Sequence, residues 1–84
     1  MARALVMRSI ELDGRAVGSE LARWRTARAS LEASGCHLWI FRSASDQQRF
    51  VEFVEGRDPS SLCAARQRAG LEGSDVELFI EVQL

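Results

Sequence analysis

Eighty-four residues leave room for one domain, 1–84, with a thin core, because a chain this short buries only somewhat more than ~60% of the surface its unfolded form exposes. Eleven basic residues stand against twelve acidic ones with no block of one sign, which excludes a strong electrostatic footprint for nucleic acid or an anionic membrane. All the basic residues are Arg, and Lys, Asn and Tyr are absent, the codon bias of a GC-rich, bacterial genome.

Cys36 and Cys63 form no CxxC pair, and the single His37 cannot complete a usual zinc site, so no metal is expected. No apolar run reaches the length of a membrane span. The N-terminal stretch is broken by Arg8 and Glu11 too soon for a signal peptide. The expectation is a soluble cytoplasmic protein with reduced thiols.

The first predicted element is a strand over Ala4–Leu12, followed by the turn signal Asp13-Gly14. From Val17 to Ala33 the period becomes helical: Val17, Leu21, Trp24, Arg28 and Leu31 share a side with Ala27, apolar apart from Arg28. Asp13 or Ser19 suits its start, and Gly35 the left-handed residue at its end. His37–Arg42 and Arg49–Glu55 read as strands joined by the polar loop 43–48. Asp58-Pro59 marks the start of a second helix, Pro59–Ala69, with Leu62, Ala65 and Ala69 inward and Gly70-Leu71 as its stop. After a turn at Gly73–Asp75, Val76–Leu84 alternates. Val76, Leu78, Ile80, Val82 and Leu84 form a face expected to be buried; the other face is polar except for Phe79.

The order is βαββαβ. Right-handed crossovers place both helices on one face of a four-stranded antiparallel sheet with strand order 4-1-3-2, the α+β, ferredoxin-like fold. The helices then leave the second face open, and on the middle hairpin that face cannot be polar. Leu38 and Ile40 point one way, His37, Trp39 and Phe41 the other; Phe50 and Val54 oppose Val51 and Phe53. An apolar sheet face on a small domain marks an interface or a pocket.

With this topology and the segment from Ser45-Asp46-Gln47-Gln48-Arg49-Phe50 through Glu52 to Glu55, the chain resembles the dimeric α/β-barrel superfamily, which includes the antibiotic-biosynthesis-monooxygenase-like proteins. The resemblance implies a homodimer joined through its open sheet faces, and a small hydrophobic or aromatic ligand held without metal or cofactor. The haem-degrading branch uses a His on the second helix, and Pro59–Ala69 contains none. The family's oxygenases use Asn, Trp and Tyr near substrate; here only Trp39 and His37 stand in, so an enzyme is left open.

The candidate ligand or interface residues are therefore His37, Trp39, Phe41, Phe79 and Arg8. Arg8 interrupts a central strand and needs either an anionic ligand or a carboxylate such as Glu52, Glu77 or Glu81. The simpler reading is preferred for three of them: His37 as a partly exposed strand-end residue with no chemistry, and Trp39 and Phe41 as packing. Other uses of the topology fit less well. RNA recognition needs exposed aromatics with a basic surround, a metal-carrying domain needs CxxC in the first loop, and acylphosphatase needs Asn. An ACT-like regulatory domain, for which 13–18 offers an Asp-Gly loop, is the alternative: an apolar face that only dimerises or docks on a partner.

Overall fold

The computed structural model describes residues 2–71, 73 and 75–84, so the turn expected around Ser74 lies partly outside the described residues. The elements are β1 (Ala4–Glu11), α1 (Ala16–Ala33), β2 (His37–Arg42), β3 (Arg49–Gly56), α2 (Pro59–Arg68) and β4 (Glu77–Ile80). They form one antiparallel sheet in the order β2-β3-β1-β4, as the right-handed crossovers require. This is the α+β, ferredoxin-like arrangement read from the sequence.

Local chemistry sets the ends of both helices. The Asp13 carboxylate accepts hydrogen bonds from the backbone N–H groups of Arg15 and Ala16, at 2.9 and 3.0 Å, ahead of α1. Ser19 instead donates back to the Ala16 carbonyl inside the first turn. At the far end Gly35 takes a φ of 78°, the N–H of Cys36 reaches the Leu31 carbonyl, and that of Gly35 the Glu32 carbonyl. α2 repeats the pattern: Gly70 has a φ of 75°, Leu71 N–H bonds to Arg66, and Gly70 N–H to Gln67. Both are Schellman stops, in which glycine supplies the left-handed residue at no steric cost. Leu71 then folds into the core. α2 begins at Asp58, whose carboxylate accepts from Ser61 N–H at 2.8 Å and Ser61 O–H at 3.0 Å.

The core lies between the sheet and the helices. Ala4 and Val6 of β1, Phe50 and Val54 of β3, Trp24, Ala27 and Leu31 of α1, and Leu62 and Ala65 of α2 fill it. Gly56 ends β3 where α2 starts: a Cβ there would stand 3.1 Å from Leu62 Cβ and 3.3 Å from Cys36 Sγ. The glycine thus permits close approach of strand and helix. Cys36 is buried and Cys63 exposed, and both are free thiols; burial pushes the Cys36 thiol above its usual range.

Two expectations need correction. Arg28 is exposed and lies outside the buried stripe of α1, which consists of Trp24, Ala27 and Leu31. The alternating face of the last strand is not buried: Leu78, Ile80 and Val82 are 49, 50 and 74% exposed, and strand pairing ends at Ile80. The helices pack over β1, β2 and β3, so the edge strand β4 lies beyond their cover. Hydrophobic alternation marked a strand but could not show whether anything sat on it.

Two variants in α2 separate packing from capping. Leu62→Ala is expected to lower stability in urea by about 2–5 kcal/mol, since Leu62 is fully buried. Asp58→Ala is expected to cost about 1 kcal/mol. The hydrogen bonds from Ser61 hold the Asp58 carboxyl below the usual Asp range in the folded chain. Its stabilisation is therefore complete above the unfolded pKa and is lost as pH falls through the lower folded value. The urea midpoint should drop on acidification through that range, and Asp58→Asn should flatten the drop.

Candidate functional site

Register decides which side chains meet on the open face. His37 pairs with Glu55 and Glu55 with Leu5, which in turn faces Phe79. The next row runs Trp39, Phe53, Met7 and Glu77; the one after it runs Phe41, Val51 and Ser9. His37, Trp39, Phe41 and Phe79 thus share one face, on which the helices do not lie. Trp39, Phe41 and Phe79 are 44, 57 and 40% exposed, where core residues here fall below 10%. His37 stacks on Trp39 at 5.9 Å between ring centroids with the planes 29° apart, and Phe41 meets Phe53 edge-on at 5.7 Å.

Shallow concavities border this patch. One of about 210 Å³ is lined by Leu5, Phe79, Arg3 and Glu55 among others. A second, of about 220 Å³, is lined by His37, Glu55, Arg57 and Arg3. Arg3 pairs with Glu55 at 2.8 Å and Glu81 at 3.2 Å, and the side-chain and backbone hydrogen bonds from Arg3 hold the Glu81 carboxyl below its usual range. Among the described residues no cluster of three or more His, Cys, Asp or Glu side chains is arranged to hold a metal ion.

Arg8 does not join this group. It lies on the helix side of β1 opposite Glu52, and its Nη2 donates to Glu52 Oε2 at 2.9 Å. Its period places it with Ala4 and Val6, so its charge points beneath the helices. Of the three carboxylates proposed as partners, Glu52 is the one it meets; Glu20 of α1 adds a longer contact at 3.7 Å.

Glu52 is fully buried, the least expected residue of the core. Its Oε2 also accepts from the indole Nε1 of Trp24 at 2.7 Å, and its Oε1 lies 4.0 Å from Arg66 Nη2. Arg66 in turn donates to the Leu71 carbonyl at 2.6 Å. Burial lowers the Arg66 pKa, and the Glu52 charge works against that shift. One carboxylate therefore joins β3, β1, α1 and α2. Sequence reasoning missed Arg66, although it stands four residues after inward Leu62 and so on the same helical side. It also missed the need of a buried Trp24 N–H for an acceptor.

Against known proteins, no family model matches the chain, and no curated protein is similar to it in sequence. Solved structures do match. A protein of Bordetella bronchiseptica titled "Putative antibiotic biosynthesis monooxygenase" aligns over 100% of this chain and 99% of its own, with a TM-score of 0.62 and 16% identity. A protein of Nitrosomonas europaea with the same description covers 98% of this chain and 90% of its own, with a TM-score of 0.60 and 15% identity. Rv0793 of Mycobacterium tuberculosis covers 100% and 96%, with a TM-score of 0.59 and 16% identity. The chain thus has the fold of the antibiotic-biosynthesis-monooxygenase-like proteins from end to end, as the resemblance implied. No helix among the described residues is long and apolar enough to cross a membrane.

The buried ion pair predicts a contrast. Glu52→Gln keeps an acceptor for Trp24 but leaves Arg66 without its counter-charge and Arg8 with only the longer contact to Glu20, and should cost about 3–5 kcal/mol in urea unfolding. Glu55→Gln, which breaks only the contact with exposed Arg3, should stay within about 1 kcal/mol of the parent protein.

Proposed function

We propose that the protein is a homodimer in which two copies lay their open sheet faces together and bind a small hydrophobic or aromatic molecule between them. The observation that carries this reading is the contiguous apolar patch of Trp39, Phe41 and Phe79, about half-exposed, with partly buried Val51, Phe53 and Met7 between them, across all four strands. On a chain with so thin a core, leaving that surface in water forgoes roughly 25 cal/mol for each Å² that a partner would cover. A second copy presents the same patch and is self-complementary about a two-fold axis.

The central row from Trp39 through Phe53 to Met7 carries no charge, and Arg8 turns away from it. The ligand this reading favours is therefore uncharged where it meets the centre, a flat ring system rather than an anion. The monooxygenase titles of the structural neighbours extend the proposal to oxygenase-like chemistry on such a molecule, with Trp39 and His37 as the groups in contact. The second reading, a face that only dimerises or docks on a partner in the manner of an ACT-like regulatory domain, draws on the shallowness of the concavities on one copy. A structural interface would interlock the same aromatic residues and leave no space between the sheets, whereas a binding protein needs a cavity of roughly 300 Å³ or more.

Light scattering over a dilution series tests the assembly: a mass of two chains is expected, and a single-chain mass at every concentration would sink the proposal. Phe41→Arg places a charge on the patch, beside Phe53, at a position already exposed in one copy. It is expected to yield a folded monomer, with unchanged far-ultraviolet circular dichroism and at least about a tenfold weaker dimer. A crystal structure of the dimer would then measure the enclosed space and separate binding from mere packing.

A further inference from the structure

Three buried polar atoms have no hydrogen-bond partner among the described residues: Oε1 of Glu52 and the Nε atoms of Arg8 and Arg66. All three belong to the ion cluster that joins the helices to the sheet. Arg8 Nη2 lies 2.9 Å from Glu52 Oε2, and Arg66 Nη2 lies 4.0 Å from Glu52 Oε1. The side chains of Glu52 and Arg66 are 0 and 7% exposed, so bulk solvent does not serve them. A charged group buried with a bonding position unmet is costly, and native cores meet nearly all such positions with protein or ordered water.

The chemistry of these atoms narrows what can join them. Oε1 of the carboxylate only accepts, and the two Nε–H groups only donate. An anion would be repelled by Glu52, and a cation by two guanidinium groups. A neutral molecule that both donates and accepts meets neither objection. The 4.0 Å between Oε1 and Arg66 Nη2 is too long for a direct hydrogen bond. It does let one oxygen stand about 2.8 Å from each, with the two bonds meeting near a right angle. A buried water makes about three hydrogen bonds, which matches one acceptor and two donors. The position is also closed. Glu52, Arg8 and Arg66 line neither the two concavities of the open face nor a groove of about 330 Å³ between α1 and β2, which Arg28, Leu38 and Ile40 border. An enclosed polar position of this kind suits water, not the hydroxyl of a larger ligand.

We infer that Glu52, Arg66 and Arg8 bind one internal water, which donates to Glu52 Oε1 and accepts from the two guanidinium groups. The junction of β1, β3, α1 and α2 is then a hydrated ion cluster. The water completes the bonding of the carboxylate without altering the charge of the cluster. It also ties Arg66, which already holds the Leu71 carbonyl at the end of α2, to the middle of β3. The site is built by one chain on the side of the sheet away from the proposed dimer contact, so it stands whether or not the open faces pair.

Two measurements on the parent protein test the site without any substitution that could unfold it. A crystal structure that resolves ordered solvent should show one solvent peak within about 3.2 Å of both Glu52 Oε1 and a guanidinium nitrogen of Arg66. The same peak should carry no anomalous signal in crystals grown from bromide, which separates water from a halide. In solution, nitrogen-edited rotating-frame NMR spectra should give the Nε–H groups of Arg8 and Arg66 cross-peaks at the water frequency with the sign of a dipolar contact. The Nε–H groups of exposed Arg15 and Arg42 should give the exchange sign only. Three results would each overturn the inference: Oε1 in direct contact with Arg66 and no solvent peak, a bromide signal at the peak, or cross-peaks of exchange sign alone at both Arg8 and Arg66.

Discussion

The structure turns on one carboxylate placed where a carboxylate is costly. Glu52 has no exposure to water, yet it stands between Phe50 and Val54 in the middle of β3. Such a group is tolerated only when its charge is balanced, and here the hydrogen bonds all fall on Oε2, while Oε1 has an ion-pair neighbour but no hydrogen-bond partner among the described residues. Trp24 from α1 and Arg8 from β1 meet Oε2, and Arg66 from α2 stands on the Oε1 side. Each partner comes from a different element, so the pair geometry is complete only when all four have assembled. Right-handed crossovers set the side of the sheet on which the helices pack, and that side supplies the donors that the carboxylate meets.

The open face follows from that choice. A strand has two faces, and Glu52 commits the even-numbered residues of β3 to the helices. Val51 and Phe53 are then turned outward, and cross-strand pairing aligns Trp39 and Phe41 of β2 beside them. Two helices of eighteen and ten residues have no further surface to give. The apolar outer face is thus the direct result of a hairpin with large side chains on both sides and helices on one. The same shortage leaves Leu78, Ile80 and Val82 in water at the other edge.

Features written in a few neighbouring residues were legible in the sequence. The Gly35 and Gly70-Leu71 stops, the Asp58-Pro59 start and the loop between β2 and β3 all depend on contacts within about six positions. Topology was legible too, since the order of periods leaves few right-handed arrangements. What failed depended on distant parts of the chain. The burial of the last strand required knowing how far the helices extend across the sheet. The face carrying Trp39 could not be chosen while both sides of the hairpin were apolar. Arg8 could be placed opposite a carboxylate but was also grouped with the aromatic patch. Alternation alone, with Ala4 and Val6 as companions, already pointed it the other way.

The edge strand β2 presents side chains to both surfaces of the sheet. Leu38 and Ile40 look toward α1 and Phe41 toward the open face, while Trp39 belongs to the open face and also borders the groove beside α1. An edge strand has a neighbour on one side only, so its side chains can reach around the sheet margin in a way those of β1 and β3 cannot. A substitution at Trp39 therefore disturbs both surfaces at once and cannot assign a function to either. Phe41 touches only the open face and Arg28 only the groove. Their substitutions act on separate physical terms, burial of an apolar patch in one case and neutralisation of a charge in the other, so the two surfaces can be read apart.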